Sequence, residues 1–307
     1  MDGIRRSRLP DHMVSGSPLS RCNEAGSGGT DRSDSPRRLG HWLAHRRLAI
    51  VGAPVRRAVR IDTTRRERFL GARRDRNLCV LEGLHAVKHA HRFGAVFGEV
   101  VTRDPEAQIE LAHNLAPDIA DWLAAAAVCV GPDGFDQLAP LAHPTGVMAV
   151  AERRAHEAEQ ILRATGGPVV FLEEPVHLGN VGAAIRVVAA AGGGALLTSG
   201  RHDPWSPESL RAAAGLHFAV PVARVEALGA YGDRFVALDA DAPDLREVAL
   251  PERPILAFGS ERQGLSSEIM DRAAVRASLP MREGVSSLNL ATAVAAVLYT
   301  LRATSER

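Results

Sequence analysis

The sequence predicts an α/β fold built on a largely parallel sheet. Three observations carry that expectation. From residue 63 onward, short runs rich in valine, leucine and alanine alternate with helical segments, the pattern of strand–helix–strand units. Glycine or a helix-capping residue marks many of the junctions. Apolar residues make up 46% of the 307-residue chain, enough for a core in a chain whose length allows roughly two domains of about 150 residues each.

The elements follow in order. Residues 1–62 read as a disordered or weakly ordered basic arm. Its stretches SGSPLS, NEAGSGGT and DRSDSPRR carry too little apolar surface to offset the entropy of ordering. RRERFLGARR (65–74) predicts a helix, LCVLEG (78–83) a strand, and LHAVKHAHRFG (84–94) a helix ended by Gly94. AVFGEVVT predicts a strand, DPEAQIELAHNLA a helix, and DWLAAAA a second helix or its continuation. AVCV, GFDQLAPL and GVMAVAE then read strand, helix, strand, completing a small N-terminal α/β domain at 63–150. The charged run ERRAHEAEQILRA predicts a linker helix at 151–167, closed by Gly166 and Gly167.

Residues 168–307 form the second domain. PVVFLEE, GALLTSG, HFAVPVARV, RFVALDA, PILAFG and VRASLPM predict strands. LGNVGAAIRVVAAAG, SPESLRAAAG, SSEIMDRAA and LNLATAVAAVLYTLR predict helices. In the last of these, positions 290, 294, 297, 298 and 301 share one apolar face.

Charge and composition narrow the function classes. No apolar run reaches the ~18–20 residues needed to span a bilayer, and the polar, arginine-rich start lacks an apolar signal segment, so the expected location is cytoplasmic. Cys22, Cys79 and Cys129 are too widely spaced for a disulfide framework or a zinc site, and no metal is expected. Residues 1–76 hold 18 arginines against eight acidic residues, while the whole chain carries only +1. A basic arm ahead of an acidic body suits a polyanion partner. Lys88 is the only lysine, so codon preference and a solvated arm explain the excess equally well.

Three loops stand at carboxyl ends of predicted strands, where ligands bind in open α/β sheets. In the first, HLGNVG precedes a helix whose second turn carries Arg186 among apolar residues. The pair Gly179 and Gly182 gives only GxxG, short of the three-glycine dinucleotide fingerprint, and no acid ends the next strand to hold a ribose. A structural turn explains the glycines and Asn180 as a cap, but not Arg186. The second loop, GSERQGLSSE (259–268), brackets Ser260 and Glu261 between Gly259 and Gly264. The third runs from Leu279, Pro280 and Met281 through REGVSS to Ser287, Leu288 and Asn289. Each loop alone is also ordinary strand-to-helix chemistry.

Taken in order, N-x-G-x-x-x-R (Asn180, Gly182, Arg186), GSERQGL and LPM…SSLN resemble the SpoU/TrmH RNA 2′-O-ribose methyltransferases of the SPOUT superfamily, over about residues 168–302. RAAAG (211–215) resembles a further family segment, with Ala213 where the family often has serine. VLEGLHAVKHA…GVMAV (80–150) resembles the family's substrate-binding domain more loosely.

The resemblance implies a SPOUT-type C-terminal sheet with a deep trefoil knot, a rare exception to unthreaded chains, preceded by a small α/β RNA-binding domain and the disordered arm. It implies S-adenosyl-L-methionine as cofactor, held by Gly259, Ser260, Gly264, Leu279, Pro280, Met281, Ser287 and Leu288. It implies methyl transfer to a ribose 2′-hydroxyl of RNA, ribosomal ahead of transfer RNA, by a homodimer. Arg186, Asn180, Glu261 and Asn289 are the implied catalytic group. An arginine stays protonated, so Arg186 is expected to orient the ribose or a phosphate and stabilise the developing alkoxide. Lys88, His91 and Arg92, along one helix, are the expected RNA contacts, joined by the basic run at 65–76. Base-directed methylation, a catalytically silent RNA-binding or ribosome-assembly protein, and a nucleotide-dependent oxidoreductase remain as alternatives.

Overall fold

The computed structural model describes residues 58–59, 61–139, 143–226 and 232–305. The expected basic arm therefore lies almost wholly outside the described residues. The described residues belong to one unit, Pro54–Arg307.

Local chemistry sets many of the element boundaries. Helix α1 (Thr63–Ala72) starts where Asp62 accepts a hydrogen bond from the Arg65 N–H at 2.7 Å. Strand β1 (Leu78–Glu82), helix α2 (Leu84–Arg92) and strand β2 (Phe97–Thr102) follow. Asp104 caps α3 (Pro105–Leu115), whose first residue is proline, the one position where its missing N–H costs nothing. Helix α4 (Ala120–Ala126), strand β3 (Ala127–Cys129), helix α5 (Gly131–Asp136) and strand β4 (Val147–Glu152) complete the first half.

Its four-stranded sheet has the order β1-β4-β2-β3. Only β2 and β3 pair in parallel, and β4 runs antiparallel to both β1 and β2. This corrects the expectation of a largely parallel sheet here. The last strand inserts at the centre against its neighbours' direction, and hydrophobic patterning carries no information about strand direction.

Helix α6 (Ala158–Ala164) leads to β5 (Val169–Leu172), α7 (Leu178–Ala191), β6 (Ala195–Thr198), α8 (Pro207–Ala212) and β7 (Val222–Arg224). Strands β8 (Phe235–Leu238) and β9 (Ile255–Phe258), helix α9 (Ser267–Arg272), strand β10 (Val275–Ala277) and helix α10 (Leu290–Ser305) follow. These six strands form a second sheet in the order β10-β8-β9-β5-β6-β7, with every pair parallel. Such a sheet must be covered on both faces. Val170 and Leu172 join one buried cluster with α7 and α10, while Val169 and Phe171 join another on the opposite face. The apolar face of α10 is buried at Leu290, Val294, Val297 and Leu298.

The first cluster is shared. It holds Leu81, Leu84 and Val87 from the first half together with Val181, Ile185 and Leu210 from the second. The connection between the halves differs from the expected helix at 151–167. Strand β4 runs through Glu152, and helix is confined to Ala158–Ala164. The Arg153 guanidinium donates to the Leu78 carbonyl and to Asp203, both at 2.6 Å, and Arg154 donates to the Phe218 carbonyl at 2.9 Å. These long side chains fasten the backbone where a helix would have begun. Likewise HFAVPVARV divides into a 3₁₀ turn at Leu216–Phe218 and the short β7, because Pro221 has no N–H to extend a ladder.

Candidate active site

The carboxyl ends of β5, β8, β9 and β10 bring the three loops together. After β9, Gly259 enters a tight turn in which Ser260 and Gly264 exchange both backbone hydrogen bonds at 3.1 Å. A Cβ at Gly259 would overlap the Gly264 carbonyl carbon, and Gly264 itself has φ 69°. Both positions therefore demand glycine. Ser266 closes the loop by capping α9 and donating from its N–H to Glu173 at 2.7 Å.

From this turn Glu261 reaches the first loop. Its carboxylate accepts the Val176 N–H at 3.1 Å, the His177 N–H at 3.4 Å and the Asn180 Nδ2 at 2.8 Å. Burial opposes the charge on Glu261, yet the Asn180 amide and these backbone donors outweigh it and hold the pKa below the ordinary glutamate value. The third loop joins through Asn289, whose Nδ2 donates to Asn180 Oδ1 at 3.0 Å. Asn289 Oδ1 in turn accepts from the Ala291 and Thr292 N–H groups and caps α10. An ionised carboxylate only accepts, so Asn180 must present its NH₂ to Glu261 and its oxygen to Asn289. The polarity of the whole chain follows from one charge.

These residues wall a cavity of about 540 Å³. Among the expected cofactor residues, Gly259, Ser260, Gly264, Leu279, Met281, Ser287 and Leu288 line it, as do Asn180, Glu261 and Asn289. Pro280, between two of them, does not. Sequence reasoning missed Asp239, Phe258, Ser278 and Ala293, which also line it. Asp239 follows β8, and the sheet order that places β8 between β9 and β10 has no signature in the linear sequence.

Arg186 lies outside this lining. It is exposed on α7 and has no hydrogen bond or ion pair among the described residues. One turn earlier Gly182 is buried so closely against Ser209 and Ala212 that no Cβ would fit. The arginine thus emerges at the edge of the α7–α8 contact, which explains how an apolar helix tolerates it. Its charge bears on His85 and Lys88 of α2.

The three expected RNA contacts diverge. Arg92 makes two 2.7 Å hydrogen bonds to Asp118, which pull the Asp118 pKa down to about 2. His91 turns to Trp122, with ring centroids 4.2 Å apart. Lys88 forms no hydrogen bond or ion pair among the described residues, although the Asp118 charge acts on it. In the basic run, Arg65 and Arg68 pair with Glu99, and Arg73 pairs with Glu82.

The profile of the SpoU rRNA Methylase family matches residues 167–299. An uncharacterized tRNA/rRNA methyltransferase of Synechocystis is 32% identical over 199 residues, covering 61% of this chain and 72% of the relative. The chain belongs to the SpoU rRNA methylase family. The 23S rRNA (guanosine(2553)-2′-O)-methyltransferase RlmP of Bacillus subtilis is 28% identical over 235 residues, covering 74% of this chain and 89% of RlmP. In fold, this SpoU chain is similar to the SpoU methyltransferase AviRb from Streptomyces viridochromogenes, solved in complex with AdoMet. The TM-score is 0.66 at 22% identity, over 80% of this chain and 99% of that one. The segment matched by the SpoU family contains every residue that lines the cavity.

Proposed function

We propose that this chain transfers a methyl group from S-adenosyl-L-methionine to a ribose 2′-hydroxyl of RNA, ribosomal ahead of transfer RNA. The observation that carries the reading is the convergence of the three motif loops on one cavity through Asn289, Asn180 and Glu261. RlmP and the 23S rRNA (uridine(2479)-2′-O)-methyltransferase of Streptomyces viridochromogenes, 31% identical over 170 residues, support ribose chemistry on ribosomal RNA.

The cavity suits the cofactor. Phe258, Leu279, Leu288 and Ala293 offer apolar walls for a purine, and Ser278, Ser287 and Asp239 offer polar groups for a ribose and a sulfonium. No lysine or arginine lines it among the described residues, so a cation meets no repulsion. When bound, the sulfonium supplies an activated methyl group.

The chain's own residues do the rest. The Glu261–Asn180–Asn289 chain holds the loops in register around the cavity. Arg186, unpaired among the described residues and outside the cavity lining, orients the ribose or its phosphate and stabilises negative charge on the 2′-oxygen as its proton passes to solvent water. Its guanidinium does so as a permanent cation rather than as a base. In the same reading the loops at 259–264 and 278–289 belong to a deep trefoil knot, supported by their shared cavity and by the reach of Asn289 back to Asn180. The SpoU chain acts as a homodimer in the cytoplasm, the dimer supported by the exposed apolar side chains of Leu288, before α10, and Tyr299, within it. Residues 63–150 serve as the RNA-binding domain.

The test is to incubate the protein with S-adenosyl-L-methionine and unmodified ribosomal RNA and map 2′-O-methyl groups, alongside calorimetry with S-adenosylhomocysteine and NAD. Expected are one or a few ribose methylations and binding of S-adenosylhomocysteine alone. Base methylation, RNA binding without methylation, or NAD binding would each replace the proposal with a different activity.

A further inference from the structure

Arg186 of α7 stands near enough to α2 for its charge to bear on Lys88 and His85. Arg186 and Lys88 are cations, and His85 stands one helical turn before Lys88 on the same stripe of α2. None of the three forms a hydrogen bond or ion pair among the described residues. Burial lowers the pKa of Lys88 and of His85, and Arg186 lowers both further, while the Asp118 carboxylate acts on Lys88 in the opposite sense. Other arginines along this seam are matched: Arg211 and Arg73 by Glu82, Arg92 by Asp118, and Arg153 by Asp203.

The cluster is held in place rather than met by chance. His89 Nδ1 lies 2.8 Å from the Ala214 carbonyl oxygen. Gly215, at φ 74°, sits so close to the Ala86 carbonyl that a Cβ would collide with it. Gly182 makes the same kind of approach to Ser209. The contacts run from α2 through residues 214–215 and α8 to α7, fixing His85 and Lys88 relative to Arg186. Fixed like charges are costly until an anion arrives.

We infer that His85 and Lys88 are positioning residues that seat the RNA phosphates beside the ribose faced by Arg186. The inference rests on the methyltransferase reading above. It moves the phosphate contact from the Arg92 end of α2, where Arg92 is already bonded to Asp118, to the His85 end, where neither His85 nor Lys88 is in an ion pair among the described residues.

The experiment compares the full chain with Lys88→Ala, Lys88→Arg, His85→Ala and, as a charge control on a remote exposed helix, Arg163→Ala. Each is titrated with an unmodified large-subunit ribosomal RNA transcript across salt concentrations, and KM and kcat for methylation are measured. Lys88→Ala is expected to raise KM for RNA roughly three- to tenfold and to reduce the salt slope by about 0.7–0.9. His85→Ala is expected to raise KM without altering S-adenosylhomocysteine affinity. Lys88→Arg is expected to restore the slope, and Arg163→Ala to match the unaltered chain. An active protein whose Lys88→Ala and His85→Ala forms keep the original KM and salt slope overturns this inference alone. A protein that neither binds S-adenosylhomocysteine nor methylates RNA overturns the underlying reading and this inference with it.

Discussion

Asn289 donates its side-chain amide to Asn180 at 3.0 Å, across 109 positions of sequence. That bond makes the cap of α10 and the first turn of α7 a single unit, anchored by Glu261. A double-mutant cycle on Asn180→Ala and Asn289→Ala should give a coupling energy of about 0.5–1.5 kcal/mol. Asn289→Ala alone should cost about 1 kcal/mol, because α10 also loses its N-cap. Thermal unfolding of the four proteins measures both, and purely additive losses would dissolve the unit.

Arg186 is set apart from the cavity, so binding and chemistry should separate. Arg186→Ala is expected to slow single-turnover methylation by roughly 10²–10³-fold while S-adenosylhomocysteine binds as before. Arg186→Lys should recover only part of the rate, since a point charge lacks the planar fork of donors. A matching loss of cofactor affinity would place Arg186 within the cofactor site instead.

Glu261 spends its carboxylate on Val176, His177 and Asn180, whereas among the described residues the Asp239 side chain accepts only the Asp241 N–H, at 3.2 Å. Asp239 therefore has capacity left to face a positive sulfonium. Asp239→Asn should weaken S-adenosyl-L-methionine more than the neutral S-adenosylhomocysteine, by about threefold or more in the ratio of the two Kd values. Calorimetry with the pair reads the ratio directly.

His217 predicts a pH effect on stability. Burial, ahead of its other influences, lowers its pKa to about 4. Nε2 donates to the Pro204 carbonyl at 2.8 Å, and Nδ1 is buried with no partner. The unfolded chain, with a histidine pKa of about 6.5, takes the proton first. The stabilising contribution is thus complete above about pH 6.5 and is lost as pH falls through 4. His217→Asn should be less stable at pH 7 but should show a flatter Tm profile between those limits.

Much of the site is legible in the linear sequence because its parts are local. A glycine at a turn, a serine before a helix and an asparagine at a cap each leave a signal within a few residues, and 259–264 and 287–289 fall where those signals point. Asp239 and Ser278 are hidden because strand order decides which strand ends are neighbours. His91 looked like a partner of Lys88, but its place on the helix turns it towards Trp122, and only the α4 packing reveals that. The length of α6 was obscured for a similar reason. Arg153 and Arg154 read as helix-compatible charges until their distant carbonyl acceptors are known.

The buried cluster common to both sheets leaves no pivot at residues 153–157. On the proposed activity, the protein does not fold around its nucleic acid, and the burden of adjustment passes to the RNA. The strand must flex until its backbone meets the cations of α2 and α7. Selection among nucleotides then depends on how cheaply each local RNA shape can be bent, as much as on the bases it carries.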